Sequence, residues 1–241
     1  MRRLLALILA ATLAAHPALA ELRILSAGAV EPGLEAAIAG FRAAGGQPVA
    51  IAYATAPRLR QRLDAGETPD LVIVPVALIR DLSVRLHGQP VPIGRVGIGI
   101  VARADAPPVA IRDAASLAEA VRQSSAVVFN RASTGLALDR LFERLDLTTT
   151  VAPKAARFAT GAEVLDRLRR GTGPELGFAA ITEILLVPEL RYLGPMPPAL
   201  QNHTAYAASL LPGSDPAAAA LLGFLASAAG RAAFARAGIE Q

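Results

Sequence analysis

Residues able to receive a small anion recur in this chain at one kind of place, where an apolar run of strand character gives way to a helical pattern. The first such turn is Ser26-Ala27-Gly28-Ala29-Val30, the second Tyr53-Ala54-Thr55-Ala56-Pro57, and the third Asn130-Arg131-Ala132-Ser133-Thr134-Gly135. Small side chains leave the backbone N–H groups of such a turn open to a ligand, and a helix start adds free donors and a partial positive charge. In the third turn Ser133 and Thr134 add hydroxyls and Arg131 adds a full charge. Thr160-Gly161 and Ile181-Thr182 are weaker instances of the same pattern. The same residue types also build ordinary tight turns and helix N-caps, so each turn taken alone leaves both roles open.

Covalent and metal chemistry find little support. Outside the first twenty residues the histidines are His87 and His203, far apart and outside any ligand-spaced cluster, so no metal site and no cofactor is expected. There is no nucleophile elbow, phosphate-binding loop or dinucleotide-binding glycine fingerprint. Glu175 and Glu183 would make an acid–base pair only if the fold brought them together; the sequence places both on turn or helix surface. The expectation is a binding protein with no catalytic residues. An exported hydrolase would require a nucleophile and base that the sequence does not display.

The N-terminus reads as a leader. Arg2 and Arg3 precede an almost purely apolar run from Leu4 to Leu13, and Ala18-Leu19-Ala20 is a small-x-small cleavage site. Residues 1–20 are therefore set aside as a cleavable signal peptide, with the mature chain starting at Glu21 and destined for the periplasm. The formal charge of +4 includes Arg2 and Arg3, and Lys154 is the sole lysine. The arginines are interspersed with Asp and Glu, as in Asp166-Arg167-Leu168-Arg169-Arg170, which describes a solvated face rather than a nucleic-acid footprint. With no cysteine, disulfides and thiolate chemistry are excluded.

The elements that must position these turns alternate. Residues 22–26, 49–53 and 71–74 read as strands, and the spacing of Leu34, Ala37, Ile38 and Phe41, then of the segment from Pro57 to Leu63, predicts the helices between them. The order implies an α/β unit with a mostly parallel sheet. A long apolar segment from Val91 to Ala102, carrying Gly94, Gly97 and Gly99, reads as a strand leaving that unit. A second alternation follows: helix 114–122, strand 126–129, a helix buried through Leu138, Leu141, Phe142 and Leu145, helix 161–170, strand 176–180 and a short helix from about Thr182. An extended return over 204–211 precedes a C-terminal helix begun near Asp215-Pro216, expected to pack back on the first unit.

Taken in order, these segments resemble the periplasmic molybdate-binding proteins of ABC transporters, and more closely a divergent group of molybdate-binding-like proteins. The resemblance rests on Leu25 to Val30 in the first turn, on Leu59 to Gly66 followed by Pro69-Asp70-Leu71-Val72-Ile73, and on Val96 to Val101. It continues through Gly177-Phe178-Ala179-Ala180-Ile181-Thr182-Glu183, similar to the family's Gly-Ile-Val-Tyr-x-Thr-Asp, and through Tyr206 to Ala208, Gly213-Ser214 and Phe224 to Ser227. It implies the two-lobed periplasmic binding protein fold of type II, with residues 21–97 plus 207–241 as lobe one, 98–206 as lobe two, and hinge crossings near Gly97–Gly99 and Tyr206–Ala208. It further implies a monomer that closes on a small anion, an oxyanion of molybdate or tungstate type, and delivers it to an inner-membrane ABC permease.

The family's ligand serines correspond here to Ala29 and, approximately, Ala56, with Thr55 the nearest hydroxyl, and its ligand-closing tyrosine corresponds to Ala180. The ligand set that remains is the backbone at Ala27, Gly28, Ala29 and Ala56 together with the loop Arg131–Gly135. The missing tyrosine enlarges the cleft and admits a small organic carboxylate as the alternative ligand. A sensor subunit presenting its ligand to a membrane receptor is the alternative function.

Overall fold

The structure is a computed structural model that describes residues 21–82 and 86–241; the expected signal peptide lies outside the described residues. The opening strands β1 (Leu22–Ala27), β2 (Val49–Ala54) and β3 (Leu71–Pro75) pair in parallel with β1 in the middle. All residues of β3 are buried, as a parallel strand covered on both faces requires. The helices α1 (Glu31–Ala43), α2 (Ala56–Asp64) and α3 (Val76–Asp81) each follow one of these strands. Before α1 the chain makes a single 3-10 turn over Gly28–Val30. Leu34, Ala37, Ile38 and Phe41 form the buried face of α1, as their spacing predicts.

The next strand, β4 (His87–Arg103), runs for 17 residues and belongs to two sheet regions. Five elements then follow: α4 (Ala114–Gln123), β5 (Ala126–Asn130), α5 (Ser133–Arg144), α6 (Thr148–Val151) and β6 (Ala155–Phe158). After them come α7 (Gly161–Arg170), β7 (Glu175–Ala180), α8 (Ile181–Ile184), β8 (Leu190–Pro195) and β9 (His203–Leu210), and the chain ends in α9 (Pro216–Ala226) and α10 (Ala228–Arg236). The strand order is β2-β1-β3-β9-β4-β7-β5-β6, with β8 beside β4. β4 pairs antiparallel with β9 as far as Gly97, and from Ile98 onward with β7 and β8. The α/β architecture, a curled sheet flanked by helices, is that of the type II periplasmic binding proteins.

Side-chain alternation divides the apolar groups. In the second region Ile98, Ile100, Val127, Phe129, Leu176 and Phe178 point to one face and join α4, α5 and α6. Their neighbours Val101, Val128 and Ala179 point to the other face and pack on α7, the period-2 pattern of a strand. Phe142 of α5 meets Phe129 and Phe178 edge-on, with ring centroids 6.0 and 6.1 Å apart. In the first region Ala218, Leu221, Leu225, Ala233 and Phe234 of α9 and α10 share a core with α1 and β1–β3.

Four elements were not foreseen, and one helix is broken. α3 has six residues, α6 and β6 four each, and β8 ends in Gly194-Pro195, all too short or irregular for a periodic signal. The expected C-terminal helix bends by 63° between α9 and α10. Ser227 takes an extended backbone conformation there, and its hydroxyl accepts from Gly230 N–H at 3.2 Å, starting the second helix.

Candidate functional site

The C-terminal ends of β1, β2, β5 and β7, together with Pro75 at the end of β3, open on one cleft, the position at which open α/β sheets gather ligands. From the first region it is lined by Ala27, Gly28, Ala29 and Glu31 after β1, and by Tyr53 to Ala56 after β2. From the second come Asn130, Ala132, Ser133 and Thr134 after β5, Thr160 and Ala162 at the start of α7, and Ala180 and Glu183 after β7; Tyr206 of β9 completes the wall. The cleft encloses about 180 Å³. A single water needs about 10–15 Å³, so there is room for a small-molecule solute.

Helix starts supply the donors. The N-cap residues of α2 and α5, Thr55 and Ala132, make no side-chain capping bond, and the first-turn N–H groups of a helix have no partner inside it. Ser133 and Thr134 do not cap α5 as their types suggested; they are its first residues. Asn130 does the work instead, its Oδ1 accepting from the N–H of Ala132 at 3.0 Å and of Gly135 at 3.2 Å. That bond pins the turn and leaves the Ser133 and Thr134 ends of the helix facing the cleft. At α7 the start is capped by its own residues, Thr160 Oγ1 accepting from Glu163 N–H while Glu163 accepts from Thr160 N–H.

Of the residues singled out in the sequence, Ala27, Gly28, Ala29, Thr55, Ala56, Ser133, Thr134 and Thr160 line this cleft. Arg131, Gly135, Gly161, Ile181 and Thr182 do not, and each has a different place. Arg131 is exposed, and its backbone N–H donates to Phe158 O at 2.8 Å. Gly135 packs against the carbonyl of Asn130, and Gly161 against the carboxyl of Glu183. Ile181 begins α8. Thr182 is buried, and its hydroxyl donates to Ala29 O at 2.6 Å, tying α8 to the turn after β1. Thr182→Val should leave that carbonyl unpaired and cost about 1–2 kcal/mol. Thermal unfolding should then show a melting temperature lower by roughly 3–6 °C.

The lining residues outside the expected ligand set are acidic and phenolic, although Tyr53 stands in the second turn and Glu183 was weighed as an acid–base partner of Glu175. Glu31, Glu183, Tyr53 and Tyr206 line the cleft, and among the described residues no Lys, Arg or His does. Glu175 and Glu183 lie at opposite ends of β7 and do not form a pair; Glu175 is buried against Arg167. Glu183 lies deep in the cleft and also borders a second opening on its outer side. Desolvation pushes its carboxyl up to about 7, repulsion from Glu31 adds to the rise, and a backbone hydrogen bond at Ala180 opposes it. Burial, with a smaller contribution from Glu35, raises Glu31 too. Tyr206 is raised well above the usual phenol range by burial and then by Glu183. Tyr53 donates to Glu35 Oε1 at 2.9 Å.

A cleft at the strand ends, walled by helix starts, is a solute-binding arrangement, and residues 22–240 match the family described as bacterial extracellular solute-binding protein. The chain belongs to that family. Among solved folds, this solute-binding protein is similar to the periplasmic molybdate-binding protein of Azotobacter vinelandii, with a TM-score of 0.76 at 14% identity over 91% of this chain and 99% of that one. It is also similar to the sulfate-binding protein SubI of Mycobacterium tuberculosis H37Rv, with a TM-score of 0.72 at 18% identity over 91% and 86% of the two chains. In sequence it is 29% identical, over 92% of its length and 88% of the relative's, to a protein from Pseudomonas sp named aconitate isomerase.

Proposed function

We propose that this solute-binding protein is the periplasmic receptor of an ABC transporter and that its cleft takes a small organic polycarboxylate. The observation that carries this reading is the pair of carboxyl groups, Glu31 and Glu183, in a cleft whose donors are backbone N–H groups and hydroxyls and whose lining, among the described residues, holds no cation. A compact tetrahedral dianion of molybdate type would press all its charge toward those carboxyls, with no positive side chain among the described residues to offset the repulsion. A polycarboxylate separates its charges. Its carboxylates can reach the starts of α1, α2 and α5 while its carbon skeleton faces Glu183. Ala29, Ala56 and Ala180, where the molybdate family has its serines and tyrosine, support the same choice by removing oxyanion ligands and widening the space. The name of the Pseudomonas relative points to a tricarboxylate. Two lobes, meeting where β4 exchanges β9 for β7, would close on the ligand and present it to the permease.

The test is thermal shift and calorimetry on residues 21–241 with cis-aconitate, trans-aconitate and citrate, beside molybdate, tungstate, sulfate and phosphate. A ligand at a hundred times its Kd should stabilise the protein by about 2.7 kcal/mol. The expected result is a shift with at least one polycarboxylate and none with molybdate. A shift with molybdate or tungstate and none with any polycarboxylate would overturn the proposal.

A further inference from the structure

We propose that Glu183 is an acid–base residue and that the cleft, besides holding its ligand, catalyses a reversible allylic proton transfer on an unsaturated polycarboxylate. The inference rests on the polycarboxylate reading and adds an activity to it. Its basis is placement. The Glu183 carboxyl sits at the junction of the two cradles: a Cβ built on Gly161 would fall 2.0 Å from its Oε2, and one on Gly28 would fall 3.3 Å from its Oε1. Both positions are glycine, so the carboxyl reaches the cleft between the turn after β1 and the start of α7. Among the described residues no ion pair holds it as a carboxylate.

The surrounding groups suit proton transfer from carbon. Abstraction of a proton next to a carboxylate sends charge onto the carboxylate oxygens, and catalysis depends on donors waiting where that charge develops. The start of α2, where Thr55 makes no capping bond, and the start of α5, where Asn130 takes the Gly135 N–H and leaves those of Ser133 and Thr134, place backbone N–H groups there. The step balances within the substrate. Glu183 as carboxylate removes a proton from the methylene carbon, and that C–H electron pair becomes the new C=C bond. The former C=C pair then takes a proton from Glu183 at the far allylic carbon, after the carboxyl has traded protons with solvent. Nothing is oxidised or reduced, and no co-reactant is consumed.

The groups facing Glu183 are Glu31 from α1 and Tyr206 from β9, with Tyr53 of β2 on the same cleft. On its outer side a second opening is lined by Glu31, Asp166, Arg169 and Glu189. There Arg169 is engaged with Asp166 at 2.8 Å. The carboxyl titrates at about 7, so near neutral pH both the base and the acid form are populated, the condition under which one group serves both halves of the transfer.

The experiment follows cis- and trans-aconitate by proton NMR in D2O with residues 21–241, against a protein-free control. The expected result is deuterium incorporation at the allylic carbons and interconversion of the isomers, on a limb with an apparent pKa near 7. Glu183→Gln, which removes one negative charge from the cleft, should still give a thermal shift with aconitate and exchange at least ~100-fold more slowly. Glu183→Asp keeps the acid but withdraws it by one methylene, and should fold, bind and exchange slowly even if the Gln variant does not fold. An independent readout is stability. The folded state holds this proton more tightly than the unfolded chain, whose carboxyl has the ordinary value of 4.5, so this group costs stability as pH rises from there toward about 7. Glu183→Gln should remove that part of the pH dependence. Wild-type protein that binds aconitate without exchanging it, or variants that exchange at the wild-type rate, would overturn the activity and leave the binding proposal standing; failure to bind any polycarboxylate would remove both.

Discussion

Gly135→Ala should lower the stability of this solute-binding protein by about 2–4 kcal/mol, a melting temperature lower by roughly 5–15 °C. The added Cβ would stand 1.8 Å from Asn130 O and 2.9 Å from Asn130 C. Both are backbone atoms in the last residue of β5, which is paired on either side with β6 and β7, so they cannot swing aside. The helix start must move instead. That movement breaks the two bonds that Asn130 Oδ1 accepts from Ala132 and Gly135 and carries Ser133 and Thr134 away from the cleft. Circular dichroism against temperature measures the first effect and aconitate titration the second. A melting temperature within about 2 °C of wild type would show that the turn after β5 is loose, and with it the donor placement on which the ligand proposal depends.

The same substitution at Gly161 should behave in the opposite way. Its Cβ would fall 2.0 Å from Glu183 Oε2 and 2.5 Å from Glu183 Cδ, the far end of a flexible side chain. Gly161→Ala should therefore fold with a melting temperature within about 3 °C of wild type while Glu183 is driven out of its seat into the cleft. Affinity for the polycarboxylate should fall about tenfold or more, ~1.4 kcal/mol or greater. Adding Glu183→Asp shortens the acid and relieves the contact, so the double variant should recover part of that affinity, which two independent defects would not do. An unchanged affinity in Gly161→Ala would mean that the position of Glu183 is not part of the ligand's seat.

The two glycines also show where the sequence was legible. The turns after β1, β2 and β5 announce themselves because each joins a short apolar run to a helical period, and all three open on the cleft. The identity of the groups between them was hidden. Glu183 is the third residue of a helix of four, which has no periodic face from which burial can be read. Its counterpart in the resembled family is Asp, and the Ala180 that clears space beside it reads locally as one more small residue of β7. Tyr206 is in a strand whose alternation says that it is buried but not that it faces a cavity. Arg131 misled for the converse reason. Charge type was visible, but the direction of the side chain depends on the Asn130 bond that turns the chain after β5, and the arginine points to solvent. The break at Ser227 was masked by an alanine-rich run whose helical propensity is nearly uniform, so nothing local marks where one axis ends and the next begins.

The place of β9 bears on how this chain comes to be folded. It lies between β3 and β4, although β3 ends at Pro75 and β9 ends at Leu210. Translation proceeds at about 5–20 residues per second, so β3 and β4 wait on the order of ten seconds for the strand that joins them. Throughout that interval the first sheet lacks the strand that joins β3 to β4, and α9 and α10, which share its core, do not yet exist. A nascent chain in this condition has no finished first core to unravel, and its folding is timed by the arrival of its last quarter rather than by the collapse of its beginning.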